Sequence, residues 1–311
     1  MRVLVTGADG FVGRYLVREL RERGHAVRAA VRPGSDAPWA TADGVTAVPL
    51  ELTDAGSVQA ALSVPCDAVV HLAAMASSAE ARRDPGGAWI INAAGTARVA
   101  EAAAALRETG EADPKLLVVS TGEVYGEAHR PLREEDELKP QSPYAASKVG
   151  AEIAALEVAR RTGLAVVVAR PFTHTGPGQR DVFFVPALLG RLRVAQQTGA
   201  RTVRVGNLAP VRDLSDVRDV ARAYALLIER GEAGQTYNVS RGEGIALTDL
   251  FARMAAAVGV DARPEPDPAL MRRADLPYLV GDSTKLRRAT GWTPAISMDQ
   301  TLRDMLDAET H

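Results

Sequence analysis

Immediately after its first apolar run the chain reads Thr6-Gly7-Ala8-Asp9-Gly10-Phe11-Val12-Gly13. Residues 11–23, which follow, carry apolar side chains at helical spacing. Glycines between a buried strand and a helix permit a tight turn and bring the backbone close to a pyrophosphate at the positive end of the helix dipole. The spacing is G-x-x-G-x-x-G rather than G-x-G-x-x-G, so the prediction of a dinucleotide site depends on the strand-turn-helix context.

Apolar runs and amphipathic segments alternate through the first 170 residues. Several runs are apolar on both faces, as in a parallel sheet covered by helices on two sides. We therefore predict an α/β fold with a Rossmann-type doubly wound parallel sheet. From Pro171 the elements shorten and Pro and Gly become frequent, which predicts a dinucleotide-binding domain over 1–170 and a smaller C-terminal α/β substrate domain over 171–311. Segments near 211–240 are apolar enough to return to the first domain.

The composition indicates a globular protein with nearly balanced charge. The 311 residues include 37 Lys and Arg and 39 Asp and Glu, a net charge of -2, which disfavours nucleic acid or an anionic membrane as the main partner. Cys66 is the only cysteine, so a disulfide framework and a thiolate metal cluster are excluded, and no metal site is expected. We expect a cytoplasmic protein, because no signal peptide and no membrane helix of roughly 20 apolar residues is evident.

The end of the second predicted strand bears on the choice of dinucleotide. An NAD site commonly places Asp or Glu there to bind the ribose 2′-hydroxyl, but this chain continues with Arg32-Pro33-Gly34-Ser35. A guanidinium suits a 2′-phosphate, to which Ser35 can add a hydroxyl. We therefore expect NADP(H) to be preferred, with NAD(H) also possible.

Tyr144 and Lys148 are separated by four positions and share one face of a predicted helix. The pKa of a free tyrosine is near 10, and a nearby ammonium group is expected to lower it. Tyr144 would then exchange a proton with a carbonyl or alcohol oxygen. Lys148 would also bind the nicotinamide ribose, so the pair is predicted to be catalytic.

These motifs, together with Val119-Ser120-Thr121-Gly122-Glu123-Val124-Tyr125-Gly126, resemble the extended short-chain dehydrogenase/reductase family of the epimerase/dehydratase type over nearly the whole chain. The resemblance implies an enzyme that acts on nucleotide-diphosphate sugars and forms a homodimer through the helices near 92–106 and 144–161. Thr121 would complete a Thr-Tyr-Lys catalytic group, with Glu123 as a further catalytic candidate. His71 is expected in the floor of the cofactor site, and His174 near the substrate.

The resemblance also implies binding residues. The expected cofactor contacts are Gly7, Gly10, Phe11, Val12, Gly13, Arg32, Ser35, Glu51, Leu52, Leu72, Ala73, Ala74, Asn92, Ser120, Tyr144, Lys148, Pro171 and Phe172. The expected substrate contacts are Thr121, Gly122, Glu123, Thr173, Arg180, Arg212, Arg272 and Asp275. Thr173 stands where the family usually has Asn, and its hydroxyl offers one hydrogen-bond donor where an amide offers two.

Three reactions share this scaffold, namely 4-epimerisation, 4,6-dehydration and 4-keto reduction. Dehydratases of the family carry a proton donor directly before the glutamate, where this chain has Gly122. The segment at 120–126 is most similar to that of reductases of GDP-4-keto-6-deoxymannose, so we expect NADPH-dependent reduction of a nucleotide-linked 4-keto-6-deoxy sugar. A 4-epimerase or a 4,6-dehydratase is the alternative. A non-catalytic NADP-binding sensor is a further alternative, which the intact Tyr144 and Lys148 disfavour.

Overall fold

The computed structural model describes residues 1–35, 45–271 and 276–308. Its strands in chain order are β1 (Arg2–Thr6), β2 (Ala26–Val31), β3 (Val45–Pro49), β4 (Ala68–His71), β5 (Lys115–Val119), β6 (Ala165–Pro171), β7 (His174–Thr175), β8 (Thr202–Val205), β9 (Val211–Asp213), β10 (Ser215–Asp216), β11 (Thr236–Val239), β12 (Gly244–Ala246), β13 (Arg263–Pro266) and β14 (Tyr278–Leu279). Seven strands form one parallel sheet in the order β11-β6-β5-β4-β1-β2-β3. The predicted Rossmann-type sheet is confirmed.

Helices connect these strands and cover both faces of the sheet. They are α1 (Phe11–Glu22), α2 (Ala55–Leu62), α3 (Ser78–Arg83), α4 (Pro85–Trp89), α5 (Gly95–Glu108), α6 (Pro143–Thr162), α7 (Phe184–Thr198), α8 (Val217–Arg230), α9 (Leu247–Val258), α10 (Thr284–Thr290) and α11 (Met298–Ala308). A π-helical segment covers Ile90–Ala94, and 3-10 turns cover Gly122–Tyr125 and Pro268–Leu270.

Alternate side chains of β1 serve two different cores. Val3 and Val5 pack in the core formed with α1 and α8, whereas Leu4 packs in the core formed with α2, α5 and α6. All three side chains are fully buried. This two-sided burial explains why the strand is continuously apolar rather than alternating with polar residues.

The topology places a crevice at the carboxyl ends of β1 and β4. From β1 the sheet extends through β2 to β3, and from β4 it extends the other way through β5 and β6. Connections on either side of this point leave in opposite directions, so the loops separate and open a cleft where ligands of such sheets bind. The glycine turn after β1 borders this crevice.

Much of the chain after β6 forms a third core, made by α7, β8, α9 and α11. Elements of this later part also pack with the first half: β11 pairs with β6, and α8 packs against α1. The predicted boundary near residue 170 stays a prediction. None of the helices in the described ranges is long and apolar enough to cross a membrane.

Candidate functional site

The glycine turn after β1 is tightly packed against its surroundings. Gly7 has a φ of +66°, and a Cβ there would lie 2.8 Å from the amide nitrogen of Ala73. A Cβ on Gly13 would lie 2.4 Å from the carbonyl oxygen of Gly7. Gly10 directly precedes α1, and within the described residues no side chain caps this helix end. The turn therefore leaves amide groups available for an anion, as a pyrophosphate site requires.

His71 lies under this turn as part of a buried polar floor. Its Nδ1 is 2.8 Å from Oγ1 of Thr6, and its Nε2 is 3.1 Å from Oγ1 of Thr96. Burial, and secondarily the charge of Lys148, lower the pKa of His71 to about 3. The ring is therefore neutral and serves a structural role here. Leu72, Ala73 and Ala74 follow directly and are half-buried at the cleft.

Asn92 ties the cleft wall to α6. Its Oδ1 accepts a hydrogen bond from the amide of Met75 at 2.8 Å, and its Nδ2 donates to Oγ of Ser147, also at 2.8 Å. Both ends of the amide are thus engaged within the protein. The sequence predicts Asn92 as a cofactor contact, and in the structure its side chain is buried and bonds to Met75 and Ser147.

The loops after β2 and β3 carry four of the residues that the sequence predicts as cofactor contacts. Arg32 is exposed, and its charge contributes to a lowered pKa of Glu51, whose main causes are hydrogen bonds from the amide and hydroxyl of Thr53. Ser35, expected to bind a 2′-phosphate, instead donates its hydroxyl hydrogen to Oδ2 of Asp9 at 2.8 Å. Asp9 was not selected from the sequence. Leu52 is buried and packs beneath Gly95.

Thr121, Glu123 and Tyr144 meet at the carboxyl end of β5. Oγ1 of Thr121 accepts a hydrogen bond from the amide of Glu123 at 3.2 Å and also hydrogen-bonds to the phenol of Tyr144. Burial, and secondarily the negative charge of Glu123, raise the pKa of Tyr144 well above its usual value, although the Thr121 hydrogen bond partly opposes them. The expected lowering by Lys148 is therefore wrong for this structure, because desolvation of the phenolate dominates.

Lys148 is buried one turn further along α6, next to a charge network that the sequence analysis did not identify. Burial lowers the pKa of Lys148 to about 8, although Glu152, four residues on, opposes the shift. Glu152 receives two hydrogen bonds from Arg170, at 3.0 and 2.7 Å, and Arg170 also contacts the hydroxyl of Tyr125 at 2.9 Å. The i, i+4 spacing from Lys148 to Glu152 was visible in the sequence, but the partner on β6 was not.

Gly122, which begins the 3-10 turn after β5, packs against Phe172, which follows β6. Phe172 is buried, and its ring is within contact distance of a Cβ built on Gly122, at 3.0 Å, or on Gly281, at 2.4 Å. Thr173 is exposed at the start of the next loop, while Pro171 is buried at the end of β6. His174 stacks on Phe11 at 6.4 Å between ring centroids, and burial lowers its pKa.

The arginines expected to bind a diphosphate lie on separate elements. Arg212 is half-buried on β9, between β12 and β14, and its Nη1 donates to the carbonyl of Val211 at 3.0 Å. Arg180 is exposed on the turn before α7. The predicted Arg272 and Asp275 lie outside the described residues. In the described ranges no group of three or more His, Cys, Asp or Glu side chains is placed to hold a metal ion.

A dinucleotide fits the residues along the crevice. Ser120 is buried, and its hydroxyl has no hydrogen-bond partner among the described residues. A buried hydroxyl without a partner is costly, so it indicates a group that a ligand can satisfy. The orphaned Ser120 lies beside Thr121, while the uncapped turn at Gly10 lies at the end of β1, two strands away. The crevice thus offers polar groups to both ends of an extended ligand.

Comparisons with known proteins agree with this geometry. The profile of the NAD-dependent epimerase/dehydratase family matches residues 3–240. The chain is 36% identical to the GDP-6-deoxy-D-mannose reductase of Pseudomonas aeruginosa, over 98% of this chain and 96% of that protein. Among solved structures, it resembles Pseudomonas aeruginosa RMD in complex with NADPH (33% identity, TM-score 0.81, 99% and 98% coverage). It also resembles the Thermus thermophilus UDP-glucose 4-epimerase in complex with NAD (31% identity, TM-score 0.85, 99% and 98% coverage).

Proposed function

Because this chain belongs to the NAD-dependent epimerase/dehydratase family, the extended short-chain dehydrogenase/reductases that its motifs resemble, we propose that it reduces the 4-keto group of a nucleotide-diphosphate-linked 4-keto-6-deoxy sugar. The proposed reductant is NADPH, with NADH also accepted, and the proposed sugar nucleotide is GDP-4-keto-6-deoxymannose. The similarity to the GDP-6-deoxy-D-mannose reductase over nearly the whole chain supports both choices. The family membership makes the chain an NAD(P)-dependent enzyme of nucleotide-sugar metabolism.

The close packing of Gly122 against Phe172 is the observation that favours reduction over 4,6-dehydration. A Cβ at position 122 would lie 3.0 Å from two ring atoms of Phe172 and 3.1 Å from a third. The ring also packs against Tyr125, with centroids 6.4 Å apart, and has little room to withdraw from Gly122. A proton-donating side chain directly before Glu123, of the kind that dehydratases use, is therefore sterically disfavoured here.

The protonation of Tyr144 also supports reduction. NADPH, when bound, supplies a hydride for C4 of the sugar. Tyr144 would donate its phenolic proton to the C4 oxygen, and its raised pKa keeps the phenol in the protonated form that this step requires. The Thr121 hydroxyl orients the phenol by its hydrogen bond, and we propose that it also contacts the C4 oxygen. Lys148 would hold the nicotinamide ribose.

We propose that cationic side chains hold the substrate diphosphate. Arg212 lies on β9 next to Asp213, which is fully buried and accepts hydrogen bonds from the amides of Arg241 and Gly242, both at 2.8 Å. These bonds fix the strand that carries Arg212. The exposed Arg180 is a further cationic candidate, and the exposed Thr173 is an uncharged candidate that can donate one hydrogen bond. The roles of Arg272 and Asp275 stay predictions from the sequence.

The test combines the purified protein with NADPH and GDP-4-keto-6-deoxymannose. We expect loss of NADPH absorbance and one equivalent of a GDP-6-deoxyhexose, identified by NMR, and a much slower appearance of both signals with Tyr144→Phe. The same protein is then given GDP-mannose, dTDP-glucose or UDP-glucose with NAD. Dehydration or epimerisation in place of reduction would contradict the proposal, and so would binding of NADPH without turnover of any 4-keto sugar nucleotide.

A further inference from the structure

Asp9 brings to the end of β2 the carboxylate that the β2 sequence lacks. It lies in the glycine turn, is half-buried, and accepts a hydrogen bond from Ser35 at 2.8 Å. β1 and β2 are neighbouring parallel strands, with Thr6 paired with Ala30. The turn after β1 and the loop after β2 therefore leave the sheet at the same edge, and the Asp9–Ser35 hydrogen bond joins them.

This edge is where the adenosine ribose of a dinucleotide lies in such folds, between the glycine turn and the end of the second strand. The Ser35 hydroxyl has a single hydrogen, and the structure commits it to Asp9. Ser35 therefore cannot donate to a 2′-phosphate unless it leaves the carboxylate. The group next to the ribose is consequently the Asp9 carboxylate. One of its oxygens accepts the hydrogen bond from Ser35, and the other can accept a further hydrogen bond.

Arg32 borders the same place with the opposite charge. The amide of Ser35 donates to the carbonyl of Arg32 at 3.0 Å, so the two residues form one tight turn. The Arg32 guanidinium favours a 2′-phosphate. Its positive charge also contributes to the lowered pKa of Glu51. The residues at this edge thus include the Asp9 carboxylate beside the Arg32 cation, rather than the cation alone that the sequence suggested.

The two kinds of group have opposite effects on the two dinucleotides. A carboxylate accepts a hydrogen bond from the 2′-hydroxyl of NAD(H), and bonds to charged groups are among the stronger ones. The same carboxylate repels a 2′-phosphate, which carries negative charge and has no hydrogen to donate. The Arg32 guanidinium instead favours the 2′-phosphate of NADP(H) over the 2′-hydroxyl of NAD(H).

We propose that Asp9 is a specificity-determining residue of the dinucleotide site, which binds NAD(H) through the ribose 2′-hydroxyl and opposes the 2′-phosphate of NADP(H). The balance between Asp9 and Arg32 then sets a narrow preference, and the chain uses both dinucleotides. This inference rests on the cofactor part of the proposed function. It does not depend on which sugar nucleotide is reduced.

The experiment measures the dissociation constants of NADPH and NADH by fluorescence titration of the full chain, without any sugar nucleotide. Asp9→Asn keeps the size of the side chain and an oxygen acceptor for Ser35 while it removes the charge. We expect NADPH to bind about tenfold more tightly and NADH several-fold more weakly. Arg32→Ala should shift the two constants in the opposite directions.

Glu22→Gln is the matched control, because Glu22 is an exposed carboxylate at the far end of α1, about 17 Å along the helix axis from Phe11. It should leave both constants unchanged. The proposal would be overturned if Asp9→Asn and the parent protein had the same dissociation constants. It would also be overturned if Asp9→Asn weakened the binding of both dinucleotides equally, or if Glu22→Gln shifted the constants as much as Asp9→Asn does. If Asp9→Asn does not fold, Asp9→Ser gives the same comparison. A negative result here leaves the sugar assay unaffected, and a negative sugar assay leaves these titrations unaffected.

Discussion

Tyr144 is the residue on which the proposed proton transfer depends, and its environment favours the neutral phenol. We expect Tyr144→Phe to reduce kcat for keto-sugar reduction by about 10²- to 10⁴-fold, because the proton donor is removed. NADPH affinity should change little, since the ring remains. Steady-state kinetics and fluorescence titration of the same preparations measure the two effects. A loss of NADPH affinity equal to the loss of kcat would assign Tyr144 a binding role instead.

The lowered pKa of Lys148 predicts that kcat/KM for NADPH depends on pH. Its pKa in the free protein is lowered to about 8 by burial, so the ammonium is present below that pH and is lost above it. If the ammonium is required, kcat/KM for NADPH should fall as the pH rises through about 8, because this ratio reports the pKa values of the free enzyme. Glu152→Gln removes the charge that opposes the shift, and should move the fall to lower pH.

The control for this profile is Lys148→Arg, whose side chain does not titrate in this range. Its kcat/KM is expected to be low but to show no fall near pH 8. Thermal unfolding of Glu152→Gln checks that Arg170, left without its carboxylate, still allows folding. An unchanged pH profile in a folded Glu152→Gln would show that Glu152 does not act on Lys148.

Thr121 is predicted only through the resemblance of its segment to the family. The local spacing of the sequence predicts the Tyr144–Lys148 pair, because this pair depends on the helix period. It could not reveal the Arg170–Glu152 pair, which joins β6 to α6 and follows no spacing rule. The Asp9–Ser35 contact was missed for a similar reason, since it joins loops that follow two different strands. Pairwise contacts across elements require the fold.

Among the elements, the 3-10 turn after β5 is predicted to tolerate no side chain at its first position. Gly122→Ala places a Cβ 3.0 Å from the Phe172 ring, and we expect a loss of about 1–3 kcal/mol in the free energy of unfolding from overpacking. Urea denaturation measures this loss. The double variant Gly122→Ala/Phe172→Leu should lose less free energy of unfolding than the two single variants lose in sum. The reason is that the smaller leucine side chain relieves the contact with the new Cβ.

Gly190→Ala is the control substitution, since Gly190 lies within α7 and no described atom comes within 4 Å of a Cβ built there. It should stabilise the chain by about 0.5–1 kcal/mol through helix propensity. Strict additivity of Gly122→Ala and Phe172→Leu would contradict the assigned contact.

The segment before α5 shows where helix prediction from periodicity fails. The apolar pattern predicts one helix from 90 to 106, but the structure has a π segment at Ile90–Ala94 and begins α5 at Gly95. The wider turn carries Asn92, whose amide bonds to Met75 and Ser147. Such a turn is stabilised by tertiary partners rather than by local propensity, so the sequence pattern does not reveal it.

At the scale of the whole molecule, the sequence predicts a homodimer through the helices near 92–106 and 144–161, which are α5 and α6. We propose that two copies associate through α6 together with Trp89 and Ile90, which precede α5. Trp89, Ile90 and Ile153 are large apolar side chains that are 47%, 52% and 61% exposed on this side. Gly150 lets Trp89 lie close to α6, since a Cβ there would be 2.4 Å from the indole. Exposed apolar clusters of this kind are typical of interfaces, and two-fold homodimers are the commonest assembly.

Ile153→Glu tests this dimer, because a buried charge without a partner destabilises an interface. Light scattering should give the mass of a dimer for the parent chain and of a monomer for the variant. Val194→Glu is the matched control, since Val194 is 57% exposed on α7; it should remain a dimer. A parent chain of monomeric mass, or a dimeric Ile153→Glu, would contradict the proposed interface.

The alternation of apolar runs and helices predicted the fold class, because each βα unit is local. The seventh strand, β11, was only assigned to a segment that returns to the core. Its position beside β6 depends on the packing of everything between them, and periodicity contains no information about that pairing. The division at residue 170 likewise stays a prediction.

The late arrival of β11 has a consequence for biosynthesis. When a ribosome has completed β6, the strand pairs with β5 on one side, but its other edge faces solvent until Thr236–Val239 has been translated. That edge is rich in valine, at Val166, Val167 and Val168, and open apolar edges recruit other strands. Nascent chains that stall between these points are therefore expected to need chaperone protection, and truncated products ending there should aggregate.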